Sequence, residues 1–364
     1  MATIMHLIPT LEGGGAERQL NILSVELRRR GNDVHIVCRR GGIFESTLRD
    51  AGCKVHIIGD HKGASIILLV RITALISEIR PDIVQSWLPQ MDVIGGIAAL
   101  WKGIPWIICE RTSAEAFSAL SIRVHVRKML ARFSSAIVAN SEGGARYWQE
   151  ALGCSSRIER IGNAVEAEAI CGSLTADVEA VRDETARVLV VGRLVPSKAL
   201  DVVVKAIRLV PRYIQLQVTF IGEGPLRDEL TDSINRSKVS DICTVSSFRS
   251  DWWQLLQGSS ALLSMSRYEG HPNVLLEAVI AGCPVIASDI PAHREFLNEF
   301  SALLVPVDNP IALAEAIASL FTDQESADHR AEQAFDNVAS KVNVRSMADA
   351  YVLLYEKITE EVPR

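Results

Sequence analysis

No two aspartates in this 364-residue chain are spaced as D-x-D, and none of its seven cysteines stands in a C-x-x-C pair. The first absence leaves a two-aspartate divalent-metal site unsignalled, so no metal is expected. The cysteines (Cys38, Cys53, Cys109, Cys154, Cys171, Cys243 and Cys283) are odd in number and scattered. They read as reduced core residues of a cytosolic protein, not as a disulfide frame or a zinc site. No basic leader or small-residue cleavage site follows Met1, so no secretion signal is expected. No apolar run reaches the roughly 20 residues of a membrane span. The stretch 66–76 is broken by Arg71, and 93–108 by Lys102 and Pro105. A soluble or peripheral protein is expected, in the cytoplasm or at the cytoplasmic face of a membrane. The G-x-G-x-x-G fingerprint and the G-K-[ST] of a Walker loop are both missing, which argues against a nicotinamide dehydrogenase or a P-loop enzyme. Basic stretches lack interleaved aromatics and the pI is near 5.8, which argues against nucleic acid as a partner.

What the chain does contain is enough apolar sequence for two cores: 48% hydrophobic and 23% charged residues, over a length that suits two ordinary domains. Charge divides unevenly, with 20 Lys and Arg against 15 Asp and Glu in residues 1–165, and 18 against 29 in the remainder. The first half is therefore the one suited to an anionic surface. Short apolar runs alternate with helical patterns from IMHLI through SAIVANS at 135–141, the rhythm of parallel strands and crossover helices. Periodicity fades after about 165 and restarts with RVLVVGRL at 187. Helices are expected near 16–30, 65–79, 92–101, 199–209, 225–236, 251–257 and 273–281. A terminal one over 340–361 carries Met347, Tyr351, Leu354, Tyr355 and Ile358 at helical spacing.

Three segments carry chemistry. Gly13-Gly14-Gly15 follows the first strand and opens a helix, a place where backbone amides can meet an anion or where a tight turn merely needs glycine. Arg193 and Lys198 flank the end of the strand at 187–192, where α/β folds bind ligands, and two cations there suit a diphosphate. The run from Arg267 to Ala278 follows the strand ALLSMS and enters a helix, with Glu269 before the helix and Glu277 about a turn inside it. A carboxylate at that place can chelate a ribose diol or simply cap the helix.

Taken in order, GGGAER at 13–18, ANSEG at 139–143, IGNAVE at 161–166, VGRLVPSK at 191–198, FIGEGPLRDEL at 220–230, SRYEGHPNVLLEA at 266–278 and AGCPVIASD at 281–289 resemble the retaining GT-B glycosyltransferases of the large fourth family. The resemblance spans most of the chain. It implies an α/β architecture of two Rossmann-like, doubly wound domains facing a central cleft: an acceptor-side domain over 1–170, a nucleotide-sugar domain over 187–340, and a helix at 341–364 returning to the first. It further implies that Arg193 and Lys198 hold the donor pyrophosphate with the amides of Gly14, Gly15, Asn273 and Val274. Glu277 then binds the ribose, Glu269 sits against the transferred sugar, and Gly222, Gly224 and Leu226 border the base, with Gly270, His271 and Pro272 completing the donor site. Many relatives carry a donor-contacting histidine near the segment 86–92; Gln90 stands there in this chain, a hydrogen-bonding but uncharged substitute. Ala164 and Ala199 replace two usual glycines, at little cost unless φ must be positive. The implied reaction is metal-independent, cofactor-free transfer of a sugar from a nucleotide diphosphate, UDP favoured, to a lipid-linked saccharide or polysaccharide precursor. A nucleotide-sugar 2-epimerase of the same fold, or a degenerate nucleotide-sugar-binding protein, are the alternatives.

Residues 122–133 put Ile122, Val126, Met129 and Phe133 on one helical face with Arg123, Arg127, Lys128 and Arg132 beside it and no acidic residue. Such a helix either lies on an anionic membrane or packs its apolar face in the core beneath a basic rim. Glu110-Arg111 reads as a further site candidate or a surface ion pair.

Overall fold

The computed structural model describes residues 1–59, 65–111, 122–153, 157–173, 185–249 and 251–361. Among them the chain forms two compact units, one of Met1–Ala164 with Asn343–Arg364 and one of Val165–Val342. Each is built on a parallel sheet, of seven and six strands among the described residues, and the fold is GT-B.

In the first unit the strands are β1 (Thr3–Ile8), β2 (Asp33–Cys38), β3 (Lys54–Ile57), β4 (Ile83–Trp87), β5 (Trp106–Glu110), β6 (Ala136–Ala139) and β7 (Ile158–Arg160). The helices are α1 (Gly15–Arg29), α2 (Glu45–Asp50), α3 (Ser65–Ile79), α4 (Leu88–Trp101), α5 (Ile122–Ala131) and α6 (Glu142–Leu152). The second unit holds α7 (Ala167–Ser173), β8 (Thr185–Val191), α8 (Leu200–Leu209), β9 (Gln215–Ile221), α9 (Arg227–Arg236), β10 (Cys243–Ser246), β11 (Ala261–Ser264), α10 (Asn273–Ile280), β12 (Val285–Ser288), α11 (Pro291–Arg294), β13 (Leu303–Val305), α12 (Pro310–Thr322) and α13 (Gln324–Val338). The last helix, α14 (Val344–Glu361), belongs to the first unit.

Strand order is β3-β2-β1-β4-β5-β6-β7 in the first sheet and β10-β9-β8-β11-β12-β13 in the second. Both sheets thus reverse winding once, between β1 and β4 and between β8 and β11. The apolar runs read as strands because both faces are buried, as parallel sheets require. In β1, Ile4 and Ile8 meet α1 and α14, while Met5 and Leu7 meet α3 and α4. In β8, Val188 and Val190 lie under α8 and α12, and Leu189 and Val191 under α10.

The first unit closes at Ala164, short of the expected 170. Val165 N–H donates to the Val342 carbonyl at 2.8 Å, and Ile170 joins the second unit's core. Helix α4 begins at Leu88, earlier than expected, on a residue with φ of +73°. The expected helix at 251–257 is a 3₁₀ turn, Trp252–Gly258. Helix α14 packs as its spacing requires, and it also carries polar ties: Tyr355 Oη donates to Gln85, Arg111 donates to Tyr351, and Gln85 Nε2 lies 2.7 Å from Cys109 Sγ. Of the described cysteines Cys171 is exposed, unlike the core residue expected; Cys154 lies outside the described residues.

The basic helix is the largest correction. Arg127 is 1% exposed and faces inward. Its Nε donates to Asp92 and its Nη1 to Glu110, each at 2.7 Å, and its guanidinium stacks 4.8 Å from the Trp148 ring. Trp148 Nε1 donates to Glu110 at 3.1 Å, and Ser86 Oγ to Asp92 at 2.6 Å. Glu110 is thus no surface partner of Arg111, and Arg127 is no surface cation. The helix presents Ile122 and Met129 to solvent instead, with Phe133 exposed just beyond its end. Removing the cation would strand two buried carboxylates, so Arg127→Ala is expected to lower unfolding free energy by about 3–5 kcal/mol. Exposed Arg123→Ala should change it by no more than about 0.5 kcal/mol. Urea unfolding of both variants checks this, and equal small effects would refute the buried network.

Candidate active site

In each unit the loops that leave the carboxyl ends of the strands flanking the reversal have no crossover helix above them, which makes this the place where such folds bind ligands. The second unit concentrates there most of the residues singled out by sequence. Gly192, Arg193 and Leu194 leave β8, Gly222 to Leu226 leave β9, and Ser266 to Pro272 leave β11 ahead of α10.

The β8 and β9 loops are zipped together. Leu194 N–H donates to the Glu223 carbonyl at 2.8 Å and Leu226 N–H to the Leu194 carbonyl at 3.0 Å. A Cβ on Gly222 would stand 1.9 Å from the Gly192 carbonyl oxygen, so only glycine allows this approach. After β8 the chain makes a 3₁₀ turn at Pro196–Lys198 and passes through Ala199 at φ +44° before α8. The positive φ does apply to Ala199, therefore, and the missing glycine leaves a strain of about 1–2 kcal/mol. Ala164, by contrast, is held by Gln19, which accepts from its N–H at 2.9 Å and donates to its carbonyl at 2.8 Å.

Lys198 and Glu269 meet directly: the ammonium donates to Oε1, which also accepts from Ser266 Oγ at 2.8 Å. Burial alone would lift the Glu269 carboxyl, but Lys198 and Ser266 outweigh it and hold the group below the ordinary carboxylate value. Arg193 is exposed and has no side-chain partner among the described residues. Glu277 is buried on α10 and accepts from Trp252 Nε1 at 3.1 Å. Of the amides expected to meet the donor, the Asn273 N–H turns back to the His271 carbonyl at 3.0 Å. Val274, one position further into α10, has no preceding helical turn to bond to. His271 is buried with its ring edge-on to Phe296 at 5.0 Å.

Three supporting residues were given no role of their own in the sequence reading. Arg267 ties the β11 loop to the β8 loop, donating to the Pro196 carbonyl at 2.6 Å and to Asp201 and Asp308 at 2.9 Å each. Trp252 fixes Glu277. His293 on α11 is fully buried, and its Nδ1 lies 2.7 Å from the Ser288 carbonyl, so the proton resides on Nδ1. Burial lowers this imidazole below its usual value, which keeps it neutral at pH 7. Ser288 Oγ in turn accepts from Ser266 N–H at 2.9 Å, so His293 braces the strand end that carries Ser266 and Glu269. Nothing in local spacing links residues 252 and 293 to this loop.

Gly14, Gly15 and Gln90 lie in the first unit, at its own reversal. Gly13 takes φ +117°, and a Cβ on Gly14 would stand 2.4 Å from Glu17 Oε2. Glu17, buried and accepting from Thr10 Oγ1 at 3.0 Å, places a carboxylate beside the amides expected to meet an anion. Gln90 Oε1 accepts from Arg39 Nη1 at 2.8 Å, which leaves its amide hydrogens as the groups it can offer.

Because the folded Glu269 carboxyl titrates below its ordinary value, its stabilising contribution is complete above that ordinary range and fades as pH falls through the folded value. Without the ammonium, burial would raise the carboxyl instead. Lys198→Met should therefore lower stability by about 1–2 kcal/mol near pH 7, between the surface and buried limits for ion pairs. The deficit should shrink toward pH 3 to 4, where carboxylates ordinarily protonate. Urea midpoints of both proteins across that range check this, and a pH-independent deficit would contradict the pairing.

Residues 13–169 match the family described as Glycosyltransferase Family 4, and residues 175–337 match Glycosyl transferases group 1. The chain is 22% identical over 359 residues to the lipopolysaccharide core biosynthesis glycosyltransferase LpsD of Rhizobium meliloti, covering 97% of this chain and 98% of that one. It is 22% identical over 381 residues to an Escherichia coli UDP-Gal:α-D-GlcNAc-diphosphoundecaprenol α-1,3-galactosyltransferase, covering 96% and 95% of the two chains. Among solved structures, Anabaena Alr3699/HepE in complex with UDP and glucose superposes with a TM-score of 0.86 at 20% identity, over 98% of this chain and all of that one (100%).

Proposed function

The chain is a GT-B, glycosyltransferase family 4-like protein, and from that premise we propose that it retains anomeric configuration while moving a sugar from a UDP-sugar to a lipid-linked saccharide or polysaccharide precursor, without a metal. The observation that carries this reading is the Lys198–Glu269 contact at the β8/β11 reversal, with exposed Arg193 beside it. Relatives named for lipopolysaccharide core and diphosphoundecaprenol substrates support the acceptor class, and the neighbour bound to UDP supports the donor.

In this reading Arg193 and Lys198 receive the donor diphosphate, Arg193 as a fork and Lys198 as a point charge. As the bond from the anomeric carbon to the diphosphate oxygen breaks, both cations and the amino end of α10 stabilise the growing negative charge. The acceptor hydroxyl attacks from the face the diphosphate leaves, and its proton passes to the departing phosphate oxygen. The new glycosidic bond thus keeps the original configuration. Glu269, an acceptor-only carboxylate at its depressed pKa, faces the hydroxyls of the sugar. Glu277, braced by Trp252, takes the ribose, and the turn from Gly222 to Leu226 borders the base. Peripheral contact with an anionic membrane brings such an enzyme to its lipid-linked acceptor.

A thermal-shift panel of UDP, GDP and ADP tests the donor class. UDP is expected to stabilise the wild type with magnesium or with EDTA, by about 2.7 kcal/mol at a hundredfold excess over Kd. Arg193→Ala, Lys198→Ala and Glu277→Gln should lose the response; the Gln variant keeps an acceptor for Trp252. With lipid-extract acceptors, Lys198→Ala should lower turnover by about 10²- to 10³-fold. The anomeric proton of the product by NMR should report retention. An inverted product, or a UDP response abolished by EDTA, would refute the corresponding part of the reading.

A further inference from the structure

The helices that cover one face of the first unit's sheet leave their outer surface apolar. Helices α3, α4 and α5 lie side by side, with α4 packed against both others. Ile66 and Val70 of α3, Trp101 of α4, Ile122 and Met129 of α5, and Phe133 just beyond it all face solvent. Trp101 is 71% exposed, Ile122 80% and Phe133 66%. One such residue is ordinary on a protein surface, but six on three adjacent helices mark an interaction surface.

The charges around them have one sign. Arg71, Lys102, Arg123 and Arg132 are exposed, and half-buried Lys128 stands 4.6 Å over the Tyr147 ring. Among the described residues the only exposed acidic side chain on these three helices is Glu78. Burying Arg127 against Asp92 and Glu110 is what turns the apolar side of α5 outward. We infer that this face docks on an anionic lipid bilayer. Its isoleucines and aromatics enter the headgroup boundary, and the cations reach lipid phosphates on their flexible stems. A second copy of the chain fits poorly, because a two-fold contact would set the patch carrying Lys102, Arg123 and Arg132 against the same cationic patch of the other copy. The inference names the surface by which the proposed lipid-linked acceptor is approached, and it rests on that reading for its purpose, not for its residues.

Vesicle flotation tests it, with phosphatidylcholine alone and with added phosphatidylglycerol. Wild type should float with the anionic vesicles at least about tenfold more than with the neutral ones, and high salt should weaken the binding. Ile122→Ser with Met129→Ser and Phe133→Ser, and separately Arg123→Glu with Arg132→Glu, should each reduce flotation by about tenfold or more. Both variants should keep the far-UV circular dichroism and thermal midpoint of the wild type, which shows them folded, and its UDP thermal shift. A wild type that does not float, or variants that float unchanged, overturns the docking face while leaving the donor reading intact. Flotation as expected with no UDP response upholds the face and overturns the donor reading. A concentration-dependent dimer dispersed by the same substitutions would assign the face to a second copy and overturn the inference.

Discussion

When a parallel sheet reverses its winding, the connections from the two strands at the reversal leave toward opposite faces, and no helix covers the carboxyl ends between them. That constraint organises both units. In the second it gathers the loops after β8 and β11 into one open place, and the particular residues follow from it. Gly222 lets the β9 loop touch the β8 loop, Arg267 binds the β11 loop to the turn at Pro196, and Lys198 and Glu269 are left facing one another. A cation held by a carboxylate suits the proposed function: in that reading an arriving diphosphate draws the ammonium by its greater negative charge and frees Glu269 for the sugar hydroxyls. Leu88 and Ala199 both take positive φ beside the reversals, where stored backbone strain commonly accompanies function.

In the first unit a buried ion network plays the corresponding structural part. Asp92 on α4 and Glu110 at the end of β5 converge on Arg127 of α5, with Trp148 closing the cluster from α6. Such a network contributes less to net stability than an apolar core of equal volume, but it admits one orientation of α5. The outward apolar stripe follows from that choice. The packing of α5 and the apolar side chains it leaves exposed are two consequences of the same guanidinium.

Much of this was legible beforehand, for physical reasons. Strands buried on both faces read as continuous apolar runs, and the motifs from Gly192 to Lys198 and from Arg267 to Glu277 follow the ends of β8 and β11, as the sequence reading placed them. Helix α14 declared itself through Met347, Tyr351, Tyr355 and Ile358. What stayed hidden depended on distant parts of the chain. Periodicity places Arg127 beside an apolar face, but only the topology reveals two carboxylates awaiting it. The φ of Ala199 is set by the turn before α8, and no neighbour in sequence announces it. Trp252 and His293 support carboxylates at 277 and 269 across intervals no local pattern spans. Strand β13 is three residues long and passed unread, although Asn309 and Pro310 offered a cap and a first-turn proline for α12.

The central claim is that a nucleoside diphosphate lands at the β8/β11 reversal. Hydrogen exchange with and without UDP tests it most directly. Slowed exchange in peptides covering 192–199 and 266–277 is the predicted result. Unchanged exchange there, or slowing confined to peptides around 13–18 and 88–92, would contradict the account.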